Sequence, residues 1–360
     1  TVNLGVQAQT SAGDASGDSI TGFENVLGGS GADRLIAATG ANSLTGNNGA
    51  DTFVWTSQSH STSNDLDTIT DFTNAIDLIE LNFTETIRLD TSPNSFNGQF
   101  NELRWYDIDG VGGNDDYYIE IDFDADTIYE DNEFRILISD FSVGSLDESD
   151  FLFKNVIGSS GADTLTGTSG DDTIEGGAGA DTLSGGTGGT DTVSYAGDST
   201  GVTVNLGVQA QTSAGDASGD SITGFENVLG GSGADRLIAA TGANSLTGNN
   251  GADTFVWTQQ SHSSVDNGVD NITDFNDGTD FIELNFAETI RLNSSPDEFN
   301  GQFNAIRWYD IDGVGGNDDY YIEIDFDADF VYESNEFRIL IDDFSVGSLD
   351  ESDFLFKNVI

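Results

Sequence analysis

Residues 158–166, 167–175 and 176–184 read GSSGADTLT, GTSGDDTIE and GGAGADTLS. All three follow one nine-residue pattern, G-x-x-G-x-D-x-U-x, in which U is apolar. The sixth position supplies a carboxylate at a fixed interval, and the chemistry open to such a row of hard oxygen donors is the binding of calcium. The glycines let the backbone turn tightly at positive φ. The x-U-x triplet is long enough for a short strand with one apolar side chain pointing inward. A single turn cannot bury that side chain, so turns must stack, with cations held between them. A period of nine of this kind predicts a parallel β-roll.

Other residue groups invite a chemical reading. Asp107, Asp109 and Gly110 are followed by Asn114, Asp115 and Asp116, and the set recurs as Asp310, Asp312, Gly313, Asn317, Asp318 and Asp319. D-x-D-G can aim two carboxylates from a tight loop at one cation, but it lacks the third acidic residue at position five and the Glu at twelve of an EF-hand loop. A calcium site and a solvated acidic turn are both open readings. His60 and His262 are two copies of one position in a serine-rich loop. The neighbours Ser59 and Ser61 are adjacent only in sequence, which makes no catalytic triad, and a solvated loop histidine is expected. Arg104, Trp105 and Tyr106 with Tyr117 and Tyr118 offer either a sugar-stacking platform or the packing of a sheet, and packing is the simpler account. Lys154 and Lys357 are the only lysines, too few for isopeptide cross-links.

Composition narrows the function classes. Among 360 residues, 64 are acidic and 10 basic, a formal charge of −54. A phosphate binder needs a basic face, so nucleic acid is excluded as a partner. Adsorption to anionic membrane is disfavoured, and the chain repels itself at low ionic strength. Disorder without metal and folding with it are expected; the alternative is a halophilic, merely solvated surface. There is no Cys, which fits a secreted protein that does without disulfides. No apolar run reaches about 18 residues, so no membrane span is expected. No signal-peptide pattern is present. Thr1 lies inside a repeat, so a window cut from a longer protein is expected.

These blocks sit inside a longer repeat. Residues 1–56 recur unchanged at 203–258, and after a one-residue insertion near Asn267 the match runs on until Ile157 pairs with Ile360. Substitutions cluster at 57–102 and 127–139. Tandem duplication of this length argues for a building block. Four segments are expected: a partial roll at 1–55, a second part at 56–157, a roll at 158–257 and a second part at 258–360. Nonapeptides also stand at 28–36, 37–45 and 46–54, and at 230–238, 239–247 and 248–256; GGTGGTDTV at 185–193 carries one extra residue before its Asp. The second part alternates: IEIDFDAD (119–126) puts Ile119, Ile121 and Phe123 on one face and Glu120, Asp122 and Asp124 on the other. It reads as an antiparallel sheet or small sandwich that closes the open end of the roll, as a solenoid requires. The fold class expected is all-β, with parallel β-roll segments alternating with antiparallel, sandwich-like capping subdomains.

The nonapeptides, the lead-in DTVSYAGDSTGVTVNL (191–206) and FENVLGGSGADRL (225–237) resemble the RTX, or haemolysin-type, calcium-binding repeat family. The second part is similar to the C-terminal module of serralysin-type secreted proteins, through GADTFVW (251–257), VDNITDF (269–275), FIEL (281–284), DIDGVGGNDDYYIEI (310–324) and DFLF (353–356). The resemblance implies a right-handed roll with several calcium ions between turns, and type I secretion unfolded from a low-calcium cytoplasm. It implies carboxylate ligands at Asp163, Asp172, Asp181 and Asp191 in the central array, at Asp33 and Asp51 in the first, and at Asp235 and Asp253 in the last. Backbone carbonyls at block positions one, three and five would complete the shells: Gly158, Ser160 and Ala162; Gly167, Ser169 and Asp171; Gly176, Ala178 and Ala180; Gly28, Ser30 and Ala32; Gly230, Ser232 and Ala234. Position six is Asn42 and Asn244 in two blocks, where sites are expected to be weaker or empty. The extra residue puts Asp191 out of strict register. Asp67 and Asp71, with Asp270 and Asp274, stand in a context that related modules use for calcium, and Asp107, Asp109, Asp310 and Asp312 are weaker candidates. No H-E-x-x-H is present, so the serralysins' catalytic zinc motif is missing and no enzyme activity is expected.

The leading expectation is a calcium-binding structural repeat of a large secreted or cell-surface bacterial protein: an adhesin stalk, an extracellular fibre or an S-layer, with self-association between neighbouring units. The alternatives are the non-catalytic export and stability region of a type I-secreted enzyme, and a carbohydrate- or surface-binding module.

Overall fold

The computed structural model describes residues 1–6, 9, 15–16, 18–90, 94–108, 115–141, 145–212, 215–292, 302–311, 318–327, 332–344 and 349–357. Strands dominate; the helices among the described residues are single 3-10 turns such as Gln58–His60 and Glu148–Asp150. Among the described residues no helix is long and apolar enough to cross a membrane. The chain forms two compact units, residues 1–176 with 185–189, and residues 177–184 with 190–360.

In the first unit the x-U-x triplets become three-residue parallel strands. Arg34–Ile36 pairs with Thr52–Trp55 so that Leu35 faces Phe53, and Asn155–Ile157 pairs with Thr173–Glu175 so that Val156 faces Ile174. Partners in these two pairs stand 18 residues apart, so one turn of the roll consumes two blocks, and alternate blocks feed opposite sheets. The U side chains Leu35, Leu44, Phe53, Leu165 and Ile174 are fully buried. Each removes apolar surface worth about 1.5–3 kcal/mol from water. The second unit repeats this in Leu237, Leu246 and Phe255, with Arg236–Ile238 on Thr254–Trp257.

Within 56–157 three strands are antiparallel, as their alternation predicts, and the others pair in parallel. Asp115–Asp122 lies between Glu102–Asp107 and Phe134–Phe141. These strands are hydrogen-bonded into the roll's own sheet: Phe134–Phe141 runs parallel to Asp67–Ile69, which pairs with Ser43–Thr45. The opposite sheet passes straight through, from Thr52–Trp55 to Leu78–Leu81 to Phe151–Phe153, and a bridge joins Phe153 to Gly167. The antiparallel strands therefore widen one side of a continuous roll. Between the two sheets lies an aromatic core in which Phe134 packs edge-on against Trp55 and Phe83. Both faces of Asp115–Asp122 are covered near its end, because Glu120 and Asp122 are as fully buried as Ile119 and Ile121. Glu120 is held by Arg104 and Arg135, whose guanidinium groups also stack on Phe96 and Tyr129. The second unit builds the same sheet from Ala305–Asp310, Asp318–Asp325 and Phe337–Phe344, with Glu323 between Arg307 and Arg338.

Candidate metal centres

Each sixth-position carboxylate sits at the entry to its strand, and the roll brings successive ones into columns. Asp51 Oδ1 accepts the backbone N–H of Asp33 at 2.8 Å, and Asp77 Oδ1 accepts that of Asp51 at 2.8 Å. The second unit repeats the column: Asp235 Oδ1 takes the Val202 N–H at 2.7 Å, Asp253 Oδ1 the Asp235 N–H at 2.8 Å, and Asp280 Oδ1 the Asp253 N–H at 2.9 Å. One carboxylate oxygen is thus spent on the turn before. In Asp235 the other oxygen accepts the N–H of the second residue of the same block at 2.7 Å; Asp163 and Asp172 take that N–H on Oδ2 at 2.6 and 2.7 Å and the hydroxyl of the same residue, Ser159 or Thr168, on Oδ1. In Asp51 and Asp253 that second oxygen, Oδ2, is buried with no hydrogen-bond partner. A buried, unsatisfied carboxylate oxygen costs free energy unless a cation or proton meets it.

Carbonyl oxygens converge on the same places. A Cβ on Gly28 would lie 2.6 Å from the Gly46 carbonyl oxygen of the next turn and 2.8 Å from Asp33 Oδ2. Gly158, Gly167 and Gly230 are likewise pressed between their own block's aspartate and a glycine carbonyl one turn on. Only glycine leaves that space to oxygen atoms. Carboxylate and carbonyl oxygens at close quarters, with an orphaned Oδ2 among them, suit a hard cation such as calcium.

The electrostatics agree. Burial, with Asp280, Asp235 and Asp274 close by, pushes the Asp253 carboxyl up to about 7. Burial also raises Asp51, Asp77, Asp235 and Asp280. These groups resist ionising in the absence of positive charge.

Not every candidate fares alike. Asn42 Oδ1 accepts the Ala38 N–H at 2.7 Å and Asn244 Oδ1 the Ala240 N–H at 2.8 Å, so each amide closes its loop as an aspartate would, without the charge. Asp67 is fully engaged by the chain itself: Oδ1 by the Asn42 N–H and Oδ2 by the Trp55 indole, both at 2.7 Å. Asp270 does the same with Asn244 and Trp257. Burial lifts these two carboxyls to about 7 and about 8. Asp71 and Asp274 each hold the amides of block residues one and two, Gly46 with Asn47 and Gly248 with Asn249. Asp191 meets a glutamate one turn on: its N–H donates to Glu226 Oε2 at 2.9 Å. Asp181 donates its N–H to Asp220 Oδ1 at 2.9 Å. Asp107 is half-buried and Asp310 exposed, while Asp109 and Asp312 lie outside the described residues.

Sequence reasoning missed the carboxylates that end the columns: Asp77, Asp220, Glu226 and Asp280. Each precedes an x-U pair, as in Asp77-Leu78-Ile79, but stands outside a complete nonapeptide, although Glu226 and Asp280 keep the glycine two residues before, Gly224 and Gly278. It also missed Asp122, Asp124 and Asp126, whose oxygens lie within 4.8 Å of one another, and their counterparts Asp325 and Asp327 with Glu336. The signal was present: DFDADTIYEDNE (122–133) spells D-x-D-x-D with Glu at twelve. Asp122 and Glu133 are held there by backbone amides of their own loop. The histidines are less solvated than expected. His262 is buried, and burial lowers both imidazoles. Ser61 Oγ donates to the Arg135 carbonyl instead of joining a triad. Trp105 is buried against Phe151 with its indole on the Leu146 carbonyl, so the sugar platform is a packed core.

The family model for the peptidase M10 serralysin C terminus matches residues 12–152 and 183–355, most of the chain. The chain belongs to that serralysin C-terminal family. A second model, the RTX calcium-binding nonapeptide repeat in four copies, matches residues 157–193. These RTX repeats bind calcium, several ions per chain. Together the two matches mark a type I-secreted, extracellular protein. No curated protein sequence matches the chain. Among solved structures, the AlgE6R3 subunit of the Azotobacter vinelandii mannuronan C5-epimerase is 22% identical over 55% of this chain and 79% of its own, with a TM-score of 0.20. The extracellular lipase LipA of Serratia marcescens is 15% identical over 94% of this chain, with a TM-score of 0.22, and the RTX chain spans 40% of that lipase.

Proposed function

We propose that this RTX chain is a calcium-folded structural repeat of a large secreted or cell-surface protein, serving as a stalk or fibre element. The observation that carries the proposal is the aspartate column, built twice, as Asp33–Asp51–Asp77 and as Asp235–Asp253–Asp280. In the central array Asp163, Asp172, Asp181 and Asp191 take the same part, with the position-one, -three and -five carbonyls of their blocks. Calcium, when bound, supplies the positive charge that such paired carboxylates lack and ties one turn to the next. The chain's own part is to fix the carboxylates by backbone amides, to present the second oxygen of Asp51 and Asp253, and to keep water out with the U side chains. Folding is then coupled to the extracellular ion, and a tandem unit adds further roll turns without new chemistry. Calcium binding measured by calorimetry on Asp172→Ala/Asp181→Ala tests the assignment. Fewer ions and a lower calcium-dependent melting temperature are expected; an unchanged stoichiometry removes these residues from the ligand set.

A second reading, the export and stability region of a type I-secreted enzyme, is favoured by the serralysin C-terminal match itself. A catalytic domain in the same polypeptide would decide for it.

A further inference from the structure

One turn in each unit is not built for an ion. The block AATGANSLT stands at 37–45 and again at 239–247. Its first residue is Ala37 or Ala239, fully buried, at the position where Gly28 and Gly230 are pressed between carboxylate and carbonyl oxygens. A methyl group stands there where the calcium blocks keep none. Its sixth residue is an uncharged Asn42 or Asn244. The carbonyl of the first residue is already engaged: it accepts an imidazole N–H, from His60 in one unit and from His262 in the other. Nδ1 of both rings is buried and meets no hydrogen-bond partner, so Nε2 carries the donated proton. The next turn brings a second donor. Asp67 Oδ1 accepts the Asn42 N–H as Asp51 Oδ1 accepts that of Asp33. The difference lies at Oδ2, orphaned in Asp51 but taken in Asp67 by the Trp55 indole at 2.7 Å, and in Asp270 by that of Trp257 at 2.6 Å. Asn42 and Asp67 are 25 residues apart, against 18 for Asp33 and Asp51. The added length holds the 3-10 turn Gln58–His60 that delivers the imidazole. Ser61 pins this turn to the antiparallel sheet, donating to the Arg135 carbonyl and accepting the Asp67 N–H at 2.9 Å; Ser263 does the same beside His262.

We propose that His60 and His262 take the place of a calcium ion, so that the AATGAN turn of each unit is closed without metal, by His60 with Trp55 in the first and by His262 with Trp257 in the second. Two neutral N–H donors meet the position-one carbonyl and the second carboxylate oxygen, the two kinds of acceptor that the aspartate columns leave to a cation. A buried acceptor is satisfied equally by a hydrogen bond, and here no ion has to be stripped of its water. The histidines are positioning residues: they join the roll to its antiparallel strands at a seam that has no ion of its own. The inference rests on the reading of the aspartate columns as calcium sites, and it marks the turn at which the ion is dispensed with.

Measurements on the chain in saturating calcium test it. His60 and His262 are its two histidines, so nitrogen-15 labelling of histidine gives one imidazole spectrum per unit. Both rings are expected as the Nε2–H tautomer with a slowly exchanging proton. Equilibrium dialysis counts the bound ions. Asn42→Asp/Asn244→Asp restores the missing carboxylates and is expected to bind no more calcium than the parent chain. His60→Gln/His262→Gln keeps a donor near the Nε2 position and is expected to melt at a higher temperature than His60→Ala/His262→Ala. Two further ions in the Asn→Asp variant overturn the proposal. Imidazoles that average both tautomers in exchange with water overturn it as well, and so do Gln variants that melt no higher than the Ala ones. A parent chain that binds no calcium overturns the column reading together with this one, whereas the other three results overturn this one alone.

Discussion

An aspartate in the sixth position has two oxygens and two tasks. One oxygen fixes the turn before it; the other, in Asp51 and Asp253, is buried and unmet. This gives the carboxylates opposite effects with and without calcium. At low calcium, Asp253→Asn removes a charge that Asp280, Asp235 and Asp274 oppose, and the expanded chain becomes more compact; in saturating calcium the same change lowers the melting temperature. Sedimentation in chelator and melting in calcium check the reversal of sign. Acid should act likewise. Folded-state pKa values of about 7 for Asp253 and about 8 for Asp270 stand above the ordinary 3.8. Their contribution to the calcium-free fold is complete below about pH 4 and is lost as pH rises through 7 to 8. In chelator the chain is therefore more stable at pH 5 than at pH 8. In limiting calcium acid instead weakens binding, because protons compete for the ligands. Melting curves at the two pH values, with and without calcium, separate the effects. Gly46→Ala places a Cβ against Asp51 Oδ2 and is expected to cost about 1–3 kcal/mol of calcium-dependent stability.

At the scale of elements, the strand triplets were legible because glycine, aspartate and one apolar residue recur at a fixed period, and the structure buries every U side chain they name. The antiparallel strands were legible from alternation, but their attachment was not. Nothing in FRILISDF announces that Phe134–Phe141 will run parallel to Asp67–Ile69, since pairing depends on residues about 70 positions apart. The role of Asp67 was hidden for the same reason: its neighbours suggest a ligand, while its tertiary partner is the Trp55 indole. Trp55→Phe should leave a buried carboxylate oxygen unmet and cost about 1–3 kcal/mol. Glu120 teaches the same lesson, since alternation assigns it to a solvent face and Arg104 with Arg135 makes that face a second small core. Arg135→Leu should destabilise by about 2 kcal/mol or more, read from denaturant midpoints in calcium.

At the scale of the whole molecule, a charge of −54 opposes compaction and the roll concentrates that charge into columns. The energetic case for a folded chain therefore depends on counter-charge arriving at those columns. Apolar burial by short strands is spread thinly along a solenoid, with each turn supported by its neighbours. Loss of calcium should therefore unfold the columns cooperatively, not one site at a time. Sedimentation velocity of this chain in chelator and then in millimolar calcium tests this most directly. The account predicts a slowly sedimenting, expanded species in chelator that becomes a compact, faster one on adding calcium, with a midpoint that rises as Asp51 and Asp253 are replaced by Ala. An identical sedimentation coefficient in both buffers would contradict it and reduce the aspartate columns to a solvated acidic surface.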